Sequence, residues 1–231
     1  MKHLYLLLIL FSLNGIAQTF DFTKYNDFLK DHVSSKGVVD YDKVIKNMDD
    51  LNAITKSFSK ISPNASWSQS EYKAFWINLY NANLVKILAE NYPIKSITYI
   101  EDYLKKDNVE FNGTKISLDF IKDEIIRKIE DPRVHFALFT TAISSPILSR
   151  EAYSMDNVEV ELNFATMNFL NDETKNKIGP KYCKVSKIFF WYIKDFGGDK
   201  QSVIEFIKNY NKEITINSTI DYMDYNWNLY H

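Results

Sequence analysis

The segment SEYKAFWINLYNANLVKILAENY, residues 70–92, is apolar on nearly every side when wound at 3.6 residues per turn. Such a helix has no face for water, so it belongs at the centre of a domain. Just upstream, Ser68-Gln69-Ser70-Glu71 has the form of a capping box, with an acid three residues after the serine. Pro93 stops the helix. This helix is therefore expected to be buried.

Outward from it, helical spacing recurs. Upstream, residues 20–32 and 41–58 are expected as amphipathic helices, separated by SSKGVV. Downstream, VEFNGTKISL places two short strands around Asn112-Gly113, a strong hairpin signal. Residues 118–129 return to helical spacing and end at Asp131-Pro132. Val134 to Thr141 is an apolar run that length and pattern leave open between helix and strand. Helices are expected over 160–170, 186–196 and 201–210, with KYCKVS as a strand. The expected fold is α+β: one mostly helical domain with a small, largely antiparallel sheet.

The first residues stand apart. MKHLYLLLILFSLNGIAQ has one lysine near its start, an apolar block and then small residues, the layout of a secretory signal peptide. The block is shorter than the roughly 20 residues a membrane span requires. Cleavage is expected after Ala17, leaving residues 18–231 as the globular domain, exported to the periplasm or beyond the cell and without a transmembrane helix. The composition, rich in Asn, Lys, Ile and Tyr, fits a bacterial source. With 45% hydrophobic residues the chain can bury a large core. It must do so without an internal disulfide, because Cys183 is the only cysteine. Lys and Arg number 28 against 30 acids, with no basic stripe, so nucleic acid is not an expected partner.

Several residues invite chemistry. Asn78 and Asn81 share a face of the buried helix, where each amide either fixes a neighbouring loop or faces a ligand. His135 sits in an apolar run ten residues before Ser145, which precedes Pro146. A histidine there is either held by the core or acts as a general base, and the latter needs hydrogen-bond reach of a nucleophile. Four histidines in all leave little scope for a multi-histidine metal site. No cofactor is expected, and Cys183 is expected to be an inert core residue.

AFWINLYNA (74–82), SLDFIKDEIIR (117–127), DPRVHFAL (131–138) and VSKIFFWYIKDF (185–196), with VVDYDKV before them and YNWNL after, resemble the domain-of-unknown-function 547 family. The likeness covers nearly all of residues 18–231. Where that family usually has Glu-His, this chain has Lys122-Asp123, and where it usually has cysteines, this chain has Thr140 and Ser145. The usual residue types imply a thiol hydrolase or acyl-transfer site of the papain or transglutaminase kind, and with it a papain- or transglutaminase-like fold. The substitutions fall at the positions such a mechanism would use. The resemblance therefore implies a catalytically degenerate relative that binds a peptide-like or small polar ligand. Its cleft would be lined by Trp76, Asn78, Asn81, Asp131 and Arg133, with Arg133 as an anion-reading group or paired to an acid. A serine hydrolase or acyl transferase using Ser145 and His135 is the alternative. A third is a cell-envelope interaction module using the aromatic tail, Tyr222 to Tyr230.

Overall fold

A computed structural model describes residues 20–230, so the expected signal peptide lies outside the described residues. Of the first three helices, α1 (Thr23–His32), α2 (Tyr41–Lys46) and α3 (Met48–Phe58), the second and third pack on α4 (Gln69–Asn91) and α1 packs on those two. The stretch expected as one helix over 41–58 is two, because the chain turns at Asn47, which closes α2 and opens α3. The capping box of α4 is formed. Glu71 N–H donates to Ser68 Oγ at 3.1 Å, and Ser68 N–H donates to Glu71 Oε2 at 2.8 Å. Phe75, Ile77, Leu79, Tyr80 and Leu84 of α4 are all buried, so the helix is surrounded as its sequence demands.

β1 (Val109–Phe111) and β2 (Thr114–Ile116) form an antiparallel hairpin. Its turn residues Asn112 and Gly113 both have positive φ, as a type I′ turn requires. The following helix starts regularly as α5 (Leu118–Phe120) and then widens. Ile121–Ile126 is a π-helical stretch and Arg127–Ile129 a 3-10 turn, ended by Glu130 in the left-handed conformation. A second 3-10 segment, Pro132–Phe136, carries His135. Beyond it lie α6 (Val158–Asn171), β3 (Tyr182–Val185), α7 (Ile188–Trp191), α8 (Lys200–Lys208) and β4 (Thr219–Tyr222).

The fold is α+β and mostly helical. Its strands form the antiparallel hairpin and one parallel pair, β3 with β4, joined by a helical crossover. No described helix is long and apolar enough to cross a membrane.

The core has two clusters. One surrounds α4; the other gathers residues of α6, α7, α8, β3 and β4. The His135 segment runs between them. Val134, Ala137 and Leu138 belong to the first cluster, and Phe136 belongs to the second. The candidate site is built at this seam.

Candidate functional site

His135 is buried and stacks on Tyr192, with ring centroids 4.1 Å apart. Its Nε2–H donates to Asp195 Oδ2 at 2.8 Å. Asp195 in turn accepts both prongs of Arg127, from Nε at 2.6 Å and Nη2 at 2.7 Å. Burial raises the Asp195 carboxyl, but Arg127 and His135 outweigh it and hold the group well below the usual carboxylate range. Burial also holds the His135 pKa below its ordinary value, against the pull of Asp195. At neutral pH the imidazole is therefore neutral, with its proton on Nε2. Nδ1 carries the lone pair and has no hydrogen-bond partner among the described residues.

The ring separates two cavities. On one side is a polar cleft of about 510 Å³, walled by Asp123, Arg127, Lys194 and Asp195. On the other is a pocket of about 130 Å³, lined by Tyr80, Lys122, Thr140, Tyr192, Tyr225 and Trp227 among others. The π-helical stretch serves both sides. Lys122 lines the pocket, while the next residue, Asp123, lines the cleft and accepts from Arg127 at 3.1 Å. Helical widening of this kind is frequent at functional sites.

The tail closes the pocket. Ile143 and Ser144 N–H donate to the carbonyls of Asn228 and Asn226, and Tyr230 N–H donates to Thr141 O at 2.7 Å. Ser96 Oγ holds Trp227 O at 2.7 Å. This strap seats Tyr225 and Trp227 against Trp191, with the two tail rings 4.4 Å apart. The tail aromatics Tyr222, Tyr225, Trp227 and Tyr230 are partly buried, and the exposed rings of Phe190 and Trp191 pack on Tyr222, Tyr225 and Trp227.

Of the residues expected to line a ligand cleft, Asp131 lines the polar cleft beside His135, and the polar ones have partners within the chain. Asn78 bonds both backbone groups of Tyr153, donating to its carbonyl at 2.7 Å and accepting from its N–H at 3.1 Å. Asn81 likewise donates to Ala137 O at 2.9 Å and accepts from Phe139 N–H at 3.0 Å. Both are loop clamps: the second fixes the chain just beyond His135. Trp76 is buried against Phe75 and Phe111. Asp131 accepts from Arg133 Nη2 at 2.6 Å and from Lys73 at 2.7 Å, while Glu159 also pairs with both cations. Burial opposes ionisation of Asp131, yet Arg133 and Lys73 take its pKa down to about 2. Arg133 is thus engaged by acids of its own chain. Ser145 is buried, its hydroxyl donating to Pro146 O at 2.9 Å, and no hydrogen bond joins it to His135. Cys183 is buried, bonded to Gly179 O, with burial pushing its thiol up.

A family model described as "Protein of unknown function, DUF547" matches residues 64–170. The chain belongs to that family. Searches of the curated proteins and of the solved structures give no match. The matched DUF547 region contains α4, the π-helical stretch, His135 and Thr140. It does not contain Asp195, Tyr192, Tyr225 or Trp227, so the chain beyond the match completes the site. Lys122 and Thr140 line the same pocket as His135. Ser145 is not among the residues lining it. Among the described residues no cluster of three or more His, Cys, Asp or Glu side chains could hold a metal ion. Asp195 was the site residue hardest to foresee. Its one signal was being the only carboxylate in the aromatic run 185–196.

Proposed function

We propose that this chain is an exported, non-catalytic member of its family that binds a small molecule in the pocket between α4 and the 135–146 segment. The observation carrying this reading is that His135 is oriented by Asp195 at the pocket wall while the Ser145 hydroxyl is bonded to Pro146 O. A serine hydroxyl has a high pKa and needs a base in contact to attack a carbonyl. Without that contact, His135 is left as a neutral acceptor facing a ligand. The signal-like sequence at residues 1–17 supports export.

One observation favours a second reading. Thr140, not Ser145, shares the pocket with His135, and its hydroxyl lies 3.3 Å from Tyr225 Oη. A hydrolase using Thr140 would need its hydroxyl to leave Tyr225 and come within hydrogen-bond reach of His135.

One pair of assays separates the two readings. Purified protein is offered ester and amide substrates, and a small-molecule library is screened by shift in Tm. Binding predicts no turnover above buffer, together with hits whose stabilisation disappears in Thr140→Phe, which fills the pocket. Turnover lost in both Thr140→Ala and His135→Ala would replace binding by hydrolysis. Hits that survive Thr140→Phe would move the ligand elsewhere.

A further inference from the structure

The pocket's lining combines polar and apolar residues, and its chemistry narrows the ligand. Among the polar ones is Lys122, whose ammonium donates to Asp119 Oδ1 at 2.7 Å and lies 3.7 Å from Asp123. Burial works against its charge, but the surrounding Tyr192, Asp119 and Asp123 keep it protonated. An ammonium has three donors, and the one hydrogen bond to Asp119 leaves others for a ligand. The phenols of Tyr80, Tyr103 and Tyr225 sit within electrostatic reach of one another, and burial raises all three, Tyr103 to about 12. They therefore remain hydroxyl donors at neutral pH. No carboxylate lines the pocket. Lys122 and the phenols thus ask for an acceptor, and preferably an anionic one.

The apolar lining includes Leu104, Leu138, Pro146, Ile188, Trp191 and Trp227. It offers apolar and aromatic surface and lacks acceptors for a second charged group. At about 130 Å³ the cavity approaches the roughly 150 Å³ of dry cavities that hold a benzene ring.

Resting on the binding reading, we infer that the ligand is a small single-ring carboxylate. Its carboxylate meets Lys122 and the Tyr80 and Tyr103 hydroxyls, and its ring lies against Trp191 and Trp227.

The test uses benzoate, with benzyl alcohol as its neutral counterpart and benzylamine as its cationic one, each titrated while tryptophan fluorescence is followed. Benzoate is expected to bind at least about tenfold tighter than benzyl alcohol, and benzylamine not to bind. Lys122→Met is expected to remove the preference for benzoate while its near-UV circular dichroism stays that of the unaltered protein. That unchanged spectrum shows that the variant is folded. Lys122→Arg is expected to keep the preference. Benzyl alcohol binding as tightly as benzoate, or a preference that survives Lys122→Met, would overturn the carboxylate assignment and leave a pocket that binds neutral molecules. Binding of none of the three would also overturn it, whereas the binding reading itself fails only with the library screen and Thr140→Phe.

Discussion

His135 concentrates the physics of the site in one side chain. In the unfolded chain an imidazole takes up its proton near pH 6.5. In the fold, burial and the nearby Arg127 and Lys122 resist that proton, while Asp195 favours it, and the net shift is downward. Below about pH 6.5 the unfolded state therefore binds more protons than the native one, and stability falls as pH falls. Above that range His135 adds no slope. Urea unfolding at a series of pH values from 7.5 to 5.5 should show this loss, at no more than about 1.4 kcal/mol per pH unit for one group. His135→Gln, which keeps a donor for Asp195, should flatten the profile by His135's share. Parallel profiles for the two proteins would mean that His135 holds its proton equally well folded and unfolded. The downward shift at His135 would then be refuted, and its imidazole would charge in the fold over the same pH range as in the unfolded chain.

Elements were legible where one period ran unbroken. The capping box and encircling apolar residues announced α4, and Asn112-Gly113 announced the hairpin. Signals failed where tertiary contacts bend the chain against its local period. Residues 118–129 keep helical spacing but widen into a π-helical stretch. The helix expected over 186–196 divides at Tyr192 into α7 and a 3-10 turn, Ile193–Phe196, which carries Asp195. Thr141, a buried β-branched residue at φ 66°, has a conformation that its residue type disfavours and propensity would not place. The tail gave no periodic signal because it is held by backbone bonds to residues 95, 96 and 141–144, which spacing along the chain cannot show. These bonds make the strap a unit, anchored by Leu229, which is buried. Leu229→Ala should cost about 2–4 kcal/mol. In hydrogen exchange, the amides of Ile143, Ser144 and Tyr230 should lose protection together while those of central α4 keep theirs. Loss confined to Tyr230 would show that the strap frays from its end, and that the pocket wall does not depend on Leu229.

At the scale of the molecule, the two core clusters meet along the His135 segment, and Asp195 joins them by charge. Arg127 and His135 precede α6, whereas Asp195 follows α7, so the triad bridges parts of the chain that share little sequence neighbourhood. Side-chain exposures of 28% for Arg127 and 20% for Asp195 place the pair between surface ion pairs, worth less than about 1 kcal/mol, and sealed ones, whose breaking costs about 3–5 kcal/mol. Two parallel hydrogen bonds favour the upper part of that interval. Asp195→Ala is therefore expected to lower stability by about 2–3 kcal/mol, because it strands His135 and Arg127 together. Arg127→Met should cost less, since Asp195 keeps His135. The double variant should be less unstable than the sum of the singles, with a coupling of about 1–2 kcal/mol in urea unfolding. Phe136, Val134 and Leu138 interlock the clusters independently of these charges, so each variant should still unfold in one transition when tertiary and secondary signals are followed together. Two separated transitions in Asp195→Ala would instead make the triad the principal joint between the clusters. The pocket beside it would then open whenever that joint does.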